Sequence, residues 1–493
     1  ITAEGKQMPV STILGANDMY DVIKFRVAIT EKKVPALVVA KTTPAVGTDA
    51  WMLPYSTQKS IACVSGKVKE VSKVAGEYHY YTLGMQMKDK MVSCPVMNVE
   101  GQVFGIAQKS SGLDTVTTCY AAGAAFAMAQ KISALSLGDA ALKSIGIRKG
   151  LPDTEEQALV YLFMASSSLS SEDYGKLLDD FIRQFPANTD GYLRRANYYV
   201  AKAKDNQSWF DKAVDDLNQA KKVAQKKDDV NYNIGKLMYA YQLSKPEKTY
   251  KDWTYDTALK NVRQAFAIDP LPIYVQLEGD ILFAQQDYAG ALAAYEKVNA
   301  SNMASAGTFF SAAKTKELLK AEPKEILVLM DSCISRCPQP ITADFAPYLL
   351  ERAQINMNAG QPRKAMLDYD AYFKAVKGQV NDVFYYYREQ AALKARQYQR
   401  ALDDIAKAVE LNPADLTYQA ENAVVNLRVG RYEKAIEILN GILKNDPKYG
   451  EAYRLLGLCQ VQLKKTDEAC ANFKKAKELG DPNVDELIKK YCK

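Results

Sequence analysis

Ser93 is the candidate nucleophile of this sequence, and His79 is its one candidate imidazole base. The stretch 91–107, MVSCPVMNVEGQVFGIA, predicts a tight turn, a strand, a hairpin tip and a second strand, with Ser93 at the turn. A serine hydroxyl attacks a carbonyl carbon efficiently only when a neighbouring base takes its proton. The sole histidine, His79, lies in the strand-like segment EYHYYTL. Whether the chain is a hydrolase therefore depends on how these two residues are used.

The cysteine pattern does not favour metal or disulfide chemistry. The eight cysteines are sparse, and their spacing does not match a small disulfide-stapled scaffold. Cys333 and Cys337 stand four residues apart without a second ligand pair, so we interpret them as small buried hydrophobic residues. A single histidine also excludes two-histidine zinc sites within this chain. We expect no metal and no cofactor.

Composition and charge are those of an ordinary globular protein. A chain of 493 residues is too long for one core and predicts two to four domains. The 64 basic and 58 acidic residues give a formal charge of +6, spread along the chain, which does not indicate nucleic-acid binding. The sequence contains no run of about 18 apolar residues, so it predicts no membrane-spanning helix. Because the first residue is Ile1 and no leader follows, we expect a processed or truncated form of a longer chain.

From about residue 155 the sequence repeats itself with a period of 34 residues. Ala401, Ala435 and Ala469 are 34 residues apart, and so are Pro413 and Pro447. A small residue lets the second helix of a hairpin approach the first, and proline ends the second helix because it cannot donate a helical hydrogen bond. Each hairpin would bury its apolar stripes against its neighbours.

This pattern resembles the tetratricopeptide repeat family over about residues 155–490, most specifically over 382–482. The resemblance implies a right-handed superhelix of about eight or nine helical hairpins. In that family the concave face is lined by the first helices of the hairpins and binds peptides or partner proteins. Glu389 and Ile326 depart from the small residues that the family carries at their positions, so packing there is expected to differ.

The aromatic segment VFYYYREQ (383–390) supplies the candidate binding residues of this groove. We expect Tyr386, Gln390 and Lys394 to face it. The alternative is that the tyrosines only pack between repeats. The residues that clamp a terminal carboxylate in some chaperone-binding members of the family are not evident.

Residues 1–125 contain short alternating runs that predict antiparallel strands of a barrel or sandwich. The order of these runs resembles a trypsin-like serine protease domain over about 1–135, in particular the bacterial high-temperature-requirement branch. YDVIKFRVA resembles the triad aspartate and the strand after it, and SCPVMNVEGQVFGIA resembles the nucleophile loop and its hairpin. The resemblance places Asp21 at the aspartate position and Val92 at the nucleophile position, three residues before Pro95.

The nucleophile position decides what this resemblance implies about activity. Val92 has no nucleophilic atom, and Lys90 replaces a glycine that would help to shape an oxyanion hole, so the resemblance implies an inactive domain. The alternative is a one-residue shift that presents Ser93 or Cys94, with a histidine supplied by a segment upstream of this chain. His79 lies on the wrong side of Asp21 in chain order for that role.

We therefore predict a multidomain α and β protein. It would consist of a partial trypsin-like antiparallel β-barrel domain at 1–135, a connector at 136–154 and an all-α tetratricopeptide-repeat superhelix at 155–490. The favoured function is a non-catalytic scaffold that binds a protein or peptide ligand in the repeat groove.

Two alternative functions remain at this stage. One is an active serine endopeptidase whose repeats recruit substrates or partners. The other is a carbohydrate- or envelope-associated binder that uses the 31 tyrosines. The family resemblance and the absent leader suggest an extracytoplasmic location, periplasmic or secreted, in a bacterium.

Overall fold

The structure, a computed structural model, describes residues 5–29, 36–58, 61–74, 76–109, 117–203 and 206–492. The chain divides into two units, Ile1–Gln225 and Lys226–Lys493. The first unit contains the strands and the first helices, and the second unit is entirely helical in the residues described.

Strands β1 (Val10–Asn17) and β2 (Val22–Val27) form an antiparallel hairpin that is a two-stranded sheet of its own. β1 is anchored at Ile13, whose amide donates to the Arg148 carbonyl and whose carbonyl accepts from the Gly150 amide. A two-stranded sheet is marginally stable alone, and the complete burial of Ile13 adds the apolar contact that it lacks. These two strands therefore lie outside the closed barrel that follows.

A closed antiparallel barrel of six strands occupies the next part of the first unit. Its core is formed by residues such as Tyr81 and Leu83, which alternate with less buried neighbours as a strand period of two requires. The order around the barrel is β3-β4-β5-β8-β7-β6. The strands are β3 (Asp49–Met52), β4 (Val64–Lys73), β5 (His79–Gly84), β6 (Pro95–Met97), β7 (Val103–Gln108) and β8 (Cys119–Gly123).

The predicted strands agree with this barrel in part. The expected strand–turn–strand at 91–107 is present as β6 and β7, joined by a turn in which the Asn98 side chain accepts from the Glu100 and Gln102 amides. The run ALVVA at 36–40 contributes a single parallel bridge, Val39 with Val103, rather than a strand. β3 was not predicted, because its four residues follow a run of turn residues.

Short helices and two longer hairpins complete the first unit. Leu142 and Leu151, from the segment predicted as a connector, are buried with Ile13 against the first hairpin. The helices are α1 (Ala124–Ala129), α2 (Ala140–Ser144), α3 (Glu155–Ser168), α4 (Ser171–Gln184), α5 (Thr189–Ala203) and α6 (Gln207–Val223).

The second unit is a stack of seven antiparallel helical hairpins followed by one further helix. First helices of successive hairpins contact one another, as in α7 with α9 and α17 with α19, so the first helices share one face, which we call the first-helix face. The hairpins are α7 (Lys227–Leu243) with α8 (Tyr255–Ile268), α9 (Pro272–Ala284) with α10 (Tyr288–Asn299), α11 (Ala306–Leu318) with α12 (Pro323–Ser335), α13 (Pro347–Asn358) with α14 (Pro362–Ala375), α15 (Asp382–Lys394) with α16 (Tyr398–Leu411), α17 (Leu416–Arg428) with α18 (Tyr432–Asn445), and α19 (Gly450–Gln462) with α20 (Thr466–Glu478), followed by α21 (Asp485–Tyr491).

Within a hairpin, a small residue on the first helix is matched by a large one on the second. A Cβ added at Gly457 would lie 2.4 Å from Cε1 of Phe473, and one added at Gly279 would lie 2.9 Å from Cε1 of Tyr295. The period of 34 residues places Ala423 and Leu439 where Gly457 and Phe473 stand one repeat later. A slightly larger first-helix residue is thus accompanied by a smaller second-helix residue.

This fit predicts the effect of a single added methyl group. Gly457→Ala is expected to lower the free energy of unfolding by about 1–3 kcal/mol, because the fully buried Phe473 ring must move. Adding Phe473→Leu should cost less in the Gly457→Ala background than in the wild type. Gly441→Ala on the exposed side of α18, where an added Cβ meets nothing within 4 Å, is the control and should be neutral or stabilising. Chemical denaturation of the wild type, the two single variants and the double variant measures the coupling.

A disulfide joins the final helix to the last hairpin. Cys470 of α20 is bonded to Cys492, just beyond α21. The other six cysteines are free, five of them buried and Cys63 exposed. Cys333 and Cys337 are buried, as predicted from the sequence. The disulfide itself was not expected, because a single bridge has no spacing signature.

Candidate functional site

The turn that precedes β6 does not form an oxyanion hole from the residues that the sequence suggested. Ser93 has a left-handed backbone with φ of +66°, and its amide donates to the Ala107 carbonyl at 2.8 Å. The Cys94 amide donates to the Met91 carbonyl at 3.2 Å. Donors that are used inside the protein are not available to a developing oxyanion. Val92 is partly exposed here and presents only its isopropyl group.

The other two residues considered for a catalytic triad have separate surroundings. Asp21 lies in the turn between β1 and β2, and its carbonyl accepts from the Gln108 side chain at 3.4 Å. His79 places Nδ1 3.3 Å from Oγ1 of Thr43. Within the ranges that the structure describes, no hydrogen bond links Asp21, His79 and Ser93. The structure thus does not bring them together as a nucleophile, a base and an orienting acid.

A different cluster of functional side chains lies on α15 and α17, the first helices of consecutive hairpins. The Tyr386 ring is half-buried, with its centroid 5.1 Å from the Tyr418 ring and 5.6 Å from the Tyr387 ring. Burial raises the pKa of Tyr386, and the carboxyl groups of Glu421 and Glu389 add to the rise. Tyr386 therefore combines an inter-repeat contact with a place beside two acids.

Glu389 is the most unusual member of this cluster. Its side chain is fully buried, and its Oε2 accepts a hydrogen bond from Gln390 Nε2 at 2.9 Å. Among the described residues, its other oxygen, Oε1, has no hydrogen-bond partner. Burial raises the pKa of Glu389 to about 9, and the charge of Glu421 contributes to the rise. Glu389 is therefore protonated at neutral pH.

Gln390 lies beside both acids. Its side-chain amide donates to Glu389, and its proximity lowers the pKa of Glu421 on the next first helix against the rise that burial causes. The two carboxyl groups and this amide thus meet at the boundary between two repeats.

The three residues predicted for the groove are only partly brought together. Tyr386 and Gln390 belong to the Glu389 cluster, whereas Lys394 is exposed at the end of α15. Lys394 lines a separate cleft of about 410 Å³ between the ends of α14 and α15. Glu389 and Glu421 were not predicted as site residues. The signal for Glu389 was in the sequence, since an acid occupies a position where neighbouring repeats carry alanine or glycine.

An ion pair beneath the cluster fixes α15 on α16. Arg388 binds Asp404 through two hydrogen bonds, Nε to Oδ2 at 2.8 Å and Nη2 to Oδ1 at 2.6 Å. Asp404 is almost fully buried, so the pair replaces hydration that both groups have lost. The same arginine-to-aspartate pairing recurs in two other hairpins, as Arg195 with Asp216 and Arg352 with Asp368.

Comparison with known proteins identifies the helical part. The family model for the tetratricopeptide repeat matches residues 392–459, which run from the end of α15 into α19. The chain carries tetratricopeptide repeats. The matched segment contains Glu421 and lies immediately after Glu389 and Gln390, so the candidate site belongs to this repeat array.

The curated relatives match about a hundred residues of the chain. The chain is 33% identical over 99 residues to the small glutamine-rich tetratricopeptide repeat-containing protein 2 of Mycosarcoma maydis. The matched segment covers 20% of this chain and 28% of that protein. It is 30% identical over 95 residues to the heat-shock protein cognate co-chaperone sgt12 of Aspergillus fumigatus, and this match covers 19% of this chain and 26% of that protein. The matches thus span less than a third of each relative.

Solved structures are similar to the repeat array at low identity. YrrB, described as a tetratricopeptide repeat protein with an unusual peptide-binding site, aligns with a TM-score of 0.33 and 18% identity, over 41% of this chain and 99% of that one. Separately, in the part of the chain that the structure describes, no helix has the length and apolar character needed to cross a membrane.

Proposed function

We propose that the protein is a non-catalytic scaffold whose repeat array binds a protein or peptide segment at Tyr386, Gln390 and Glu421 on the first-helix face. The observation that carries the proposal is the buried Glu389 carboxyl group with one unpartnered oxygen, hydrogen-bonded to Gln390 and close to a second acid, Glu421, on the next repeat. Buried polar groups without partners are rare in folded proteins and often have a functional role. Stacked repeats offer extended surfaces for binding segments of other proteins.

The relatives are consistent with a partner-binding role. The matched protein of Aspergillus fumigatus is described as a heat-shock protein cognate co-chaperone. We extend this to the present chain as a proposal for its repeat array alone.

A peptide selection on the full-length protein tests the proposed function. Dodecapeptides selected from a random phage-displayed library should bind wild-type protein and lose at least tenfold in affinity with Tyr386→Ala. Removing a half-buried aromatic anchor commonly costs this much at an interface. Tyr398→Ala, at an exposed tyrosine of the second helix α16, is the matched control and should leave binding unchanged. Equal binding to both variants would contradict the proposed site.

We propose further that the six-stranded barrel is a degenerate trypsin-like domain. The closed antiparallel barrel, the hairpin after residue 94 and Val92 at the nucleophile position support this interpretation. The internal hydrogen bonds of the Ser93 and Cys94 amides disfavour the alternative, an active endopeptidase. A fluorophosphonate probe should therefore leave Ser93 unlabelled under conditions that label an active serine protease completely. Stoichiometric labelling of Ser93 would restore the enzyme hypothesis.

The location that we propose is extracytoplasmic, and the disulfide supports it. Structural disulfides form and persist mainly in oxidising compartments. We expect the protein isolated from its native source under denaturing conditions, without reductant, to have six of its eight cysteines alkylated by iodoacetamide, with Cys470 and Cys492 protected. Alkylation of all eight cysteines would contradict the location.

A further inference from the structure

We propose that the site formed by Tyr386, Gln390 and Glu421 binds a cation, namely the side chain of a lysine or arginine in a peptide ligand. The proposal rests on the proposed function and adds the chemistry of the ligand. It depends on three features of the site: two acids without an ion pair, a buried oxygen without a partner, and aromatic rings beside them.

The first feature is an acid pair without a basic partner. In the described part of the chain, neither Glu389 nor Glu421 forms an ion pair, and Arg428 acts on Glu421 only from beyond ion-pair distance. Some other acids on first helices of the array are paired with a base. Glu351 lies 2.7 Å from Lys314, and Glu451 lies 2.6 Å from Arg454. Asp280 on α9 has no ion pair with any residue that the structure describes, but its Oδ1 accepts a hydrogen bond from the Tyr295 hydroxyl at 2.8 Å.

The second feature is the unpartnered Oε1 of Glu389. A buried carboxyl oxygen without a partner costs free energy in the unliganded protein. Gln390 occupies the other oxygen, since its amide donates to Oε2. A ligand cation that pairs with Glu421 brings a positive charge beside this carboxyl group. The site thus gains a charge-assisted bond on binding.

The third feature is the aromatic wall. Tyr386 lies beside both acids, and its ring packs against Tyr418 on the neighbouring helix. A cation over the face of a tyrosine is attracted by the ring quadrupole, and the attraction is stronger where water is excluded. A carboxylate and an aromatic face together favour an ammonium or guanidinium group over an acidic or purely apolar side chain.

Binding of a cation should change the protonation of Glu389. Four neighbours face this group: Glu421 on α17, Asp404 on α16, and Gln390 and Tyr386 on α15 itself. Asp404 is already paired with Arg388, so Glu421 is the neighbouring acid that lacks an ion pair. An arriving positive charge stabilises the ionised form of Glu389, which gives up its proton to the buffer. Binding is then linked to proton release.

The experiment uses full-length protein and the dodecapeptides selected as above. Each peptide whose binding depends on Tyr386 should contain a lysine or arginine whose replacement by glutamine weakens binding at least tenfold, because a lost bond to a charged group costs about that much. Glu421→Gln should weaken the original peptide by a similar factor. It should have little further effect on the glutamine-substituted peptide. Glu410→Gln, at an exposed acid of α16, is the matched control and should change nothing.

The outcomes separate this inference from the proposed function. Peptides that need Tyr386 but tolerate replacement of every basic residue, or bind Glu421→Gln as well as wild type, overturn the cation site and leave the scaffold function standing. Peptides indifferent to Tyr386 overturn both. Calorimetry at pH 7 in phosphate and in Tris should show proton release on binding that Glu389→Gln abolishes. Equal enthalpies in the two buffers for wild type would overturn the inference.

Discussion

Replacing Glu389 with glutamine is expected to raise the free energy of unfolding of the array by about 3 kcal/mol at pH 7. The folded protein holds the pKa of Glu389 at about 9, against 4.5 for an exposed glutamate, because the group is buried beside Glu421. At pH 7 the unfolded chain carries an ionised Glu389 and the folded chain a protonated one. The destabilisation grows by about 1.4 kcal/mol for each pH unit above 4.5. Glutamine has the same shape and no charge to lose.

The sign of the pH dependence follows from the raised pKa. Stability contributed by protonated Glu389 is fully present below pH 4.5 and is lost as the pH rises towards 9. The difference between Glu389→Gln and wild type should therefore be under about 1 kcal/mol at pH 5 and about 3 kcal/mol at pH 7. Chemical denaturation at the two pH values measures this difference, with Glu410→Gln as control. An equal difference at both values would show that Glu389 is already ionised in the folded protein.

The Asp404→Ala substitution is expected to have a large effect of opposite sign, a loss of about 3–5 kcal/mol. It removes two hydrogen bonds and the nearest counter-charge of the Arg388 guanidinium, whose side chain is 12% exposed, and leaves only Asp370 among the described acids, with Oδ1 3.8 Å from Nη1. The pair itself contributes less than this loss, since both groups gave up hydration to form it. Arg388→Met combined with Asp404→Leu should consequently recover much of the stability.

An exposed pair in the same hairpin provides the control for this prediction. Lys407 and Glu410 lie 2.7 Å apart on the surface of α16, and Glu410→Ala should change the free energy of unfolding by less than about 1 kcal/mol. Chemical denaturation of the three variants and the wild type decides the matter. If Asp404→Ala and Glu410→Ala have equal effects, the buried pair does not hold α15 against α16.

The two predictions together describe a local compromise. The hairpin of α15 and α16 contains a strongly bound ion pair and, one residue along the chain, an acid that weakens the fold. Residues that lower stability are commonly retained where they serve binding. A cation at Glu421 would remove part of this cost, so a ligand that binds there should also stabilise the array.

The repeats could be predicted from the sequence because their signals are local and periodic. Ala401, Ala435 and Ala469 mark the approach of paired helices, and all three are fully buried. The arginine-to-aspartate pairs also have a signal in the sequence. An arginine directly precedes the position of the small residue on the first helix. An aspartate follows the small residue of the second helix by three positions. The environment of Glu389 could not be predicted, because it depends on Glu421 in the next repeat and on the packing between them.

The barrel was predictable as a class but not in its details. Alternation in β4, β5 and β7 indicates strands, whereas the closure of the barrel depends on pairing between β5 and β8, which are far apart in the sequence. The hydrogen bonding of the turn at Ser93 could not be predicted from the sequence either. Its amide is used by Ala107 of β7, a contact that no spacing within the turn reveals.

The matching of Gly457 to Phe473 and of Gly279 to Tyr295 has a consequence for how such an array can change over time. In these hairpins the small residue and the large residue that fits it lie on the two helices of the same hairpin. Duplicating or moving both helices together therefore preserves the packing, whereas exchanging one helix alone disrupts it. A first helix bearing Glu389 set against Tyr295 would collide, and one bearing Gly279 set against Ile405 would leave a hole. The unit that can be duplicated or exchanged without loss of packing is therefore the helix pair.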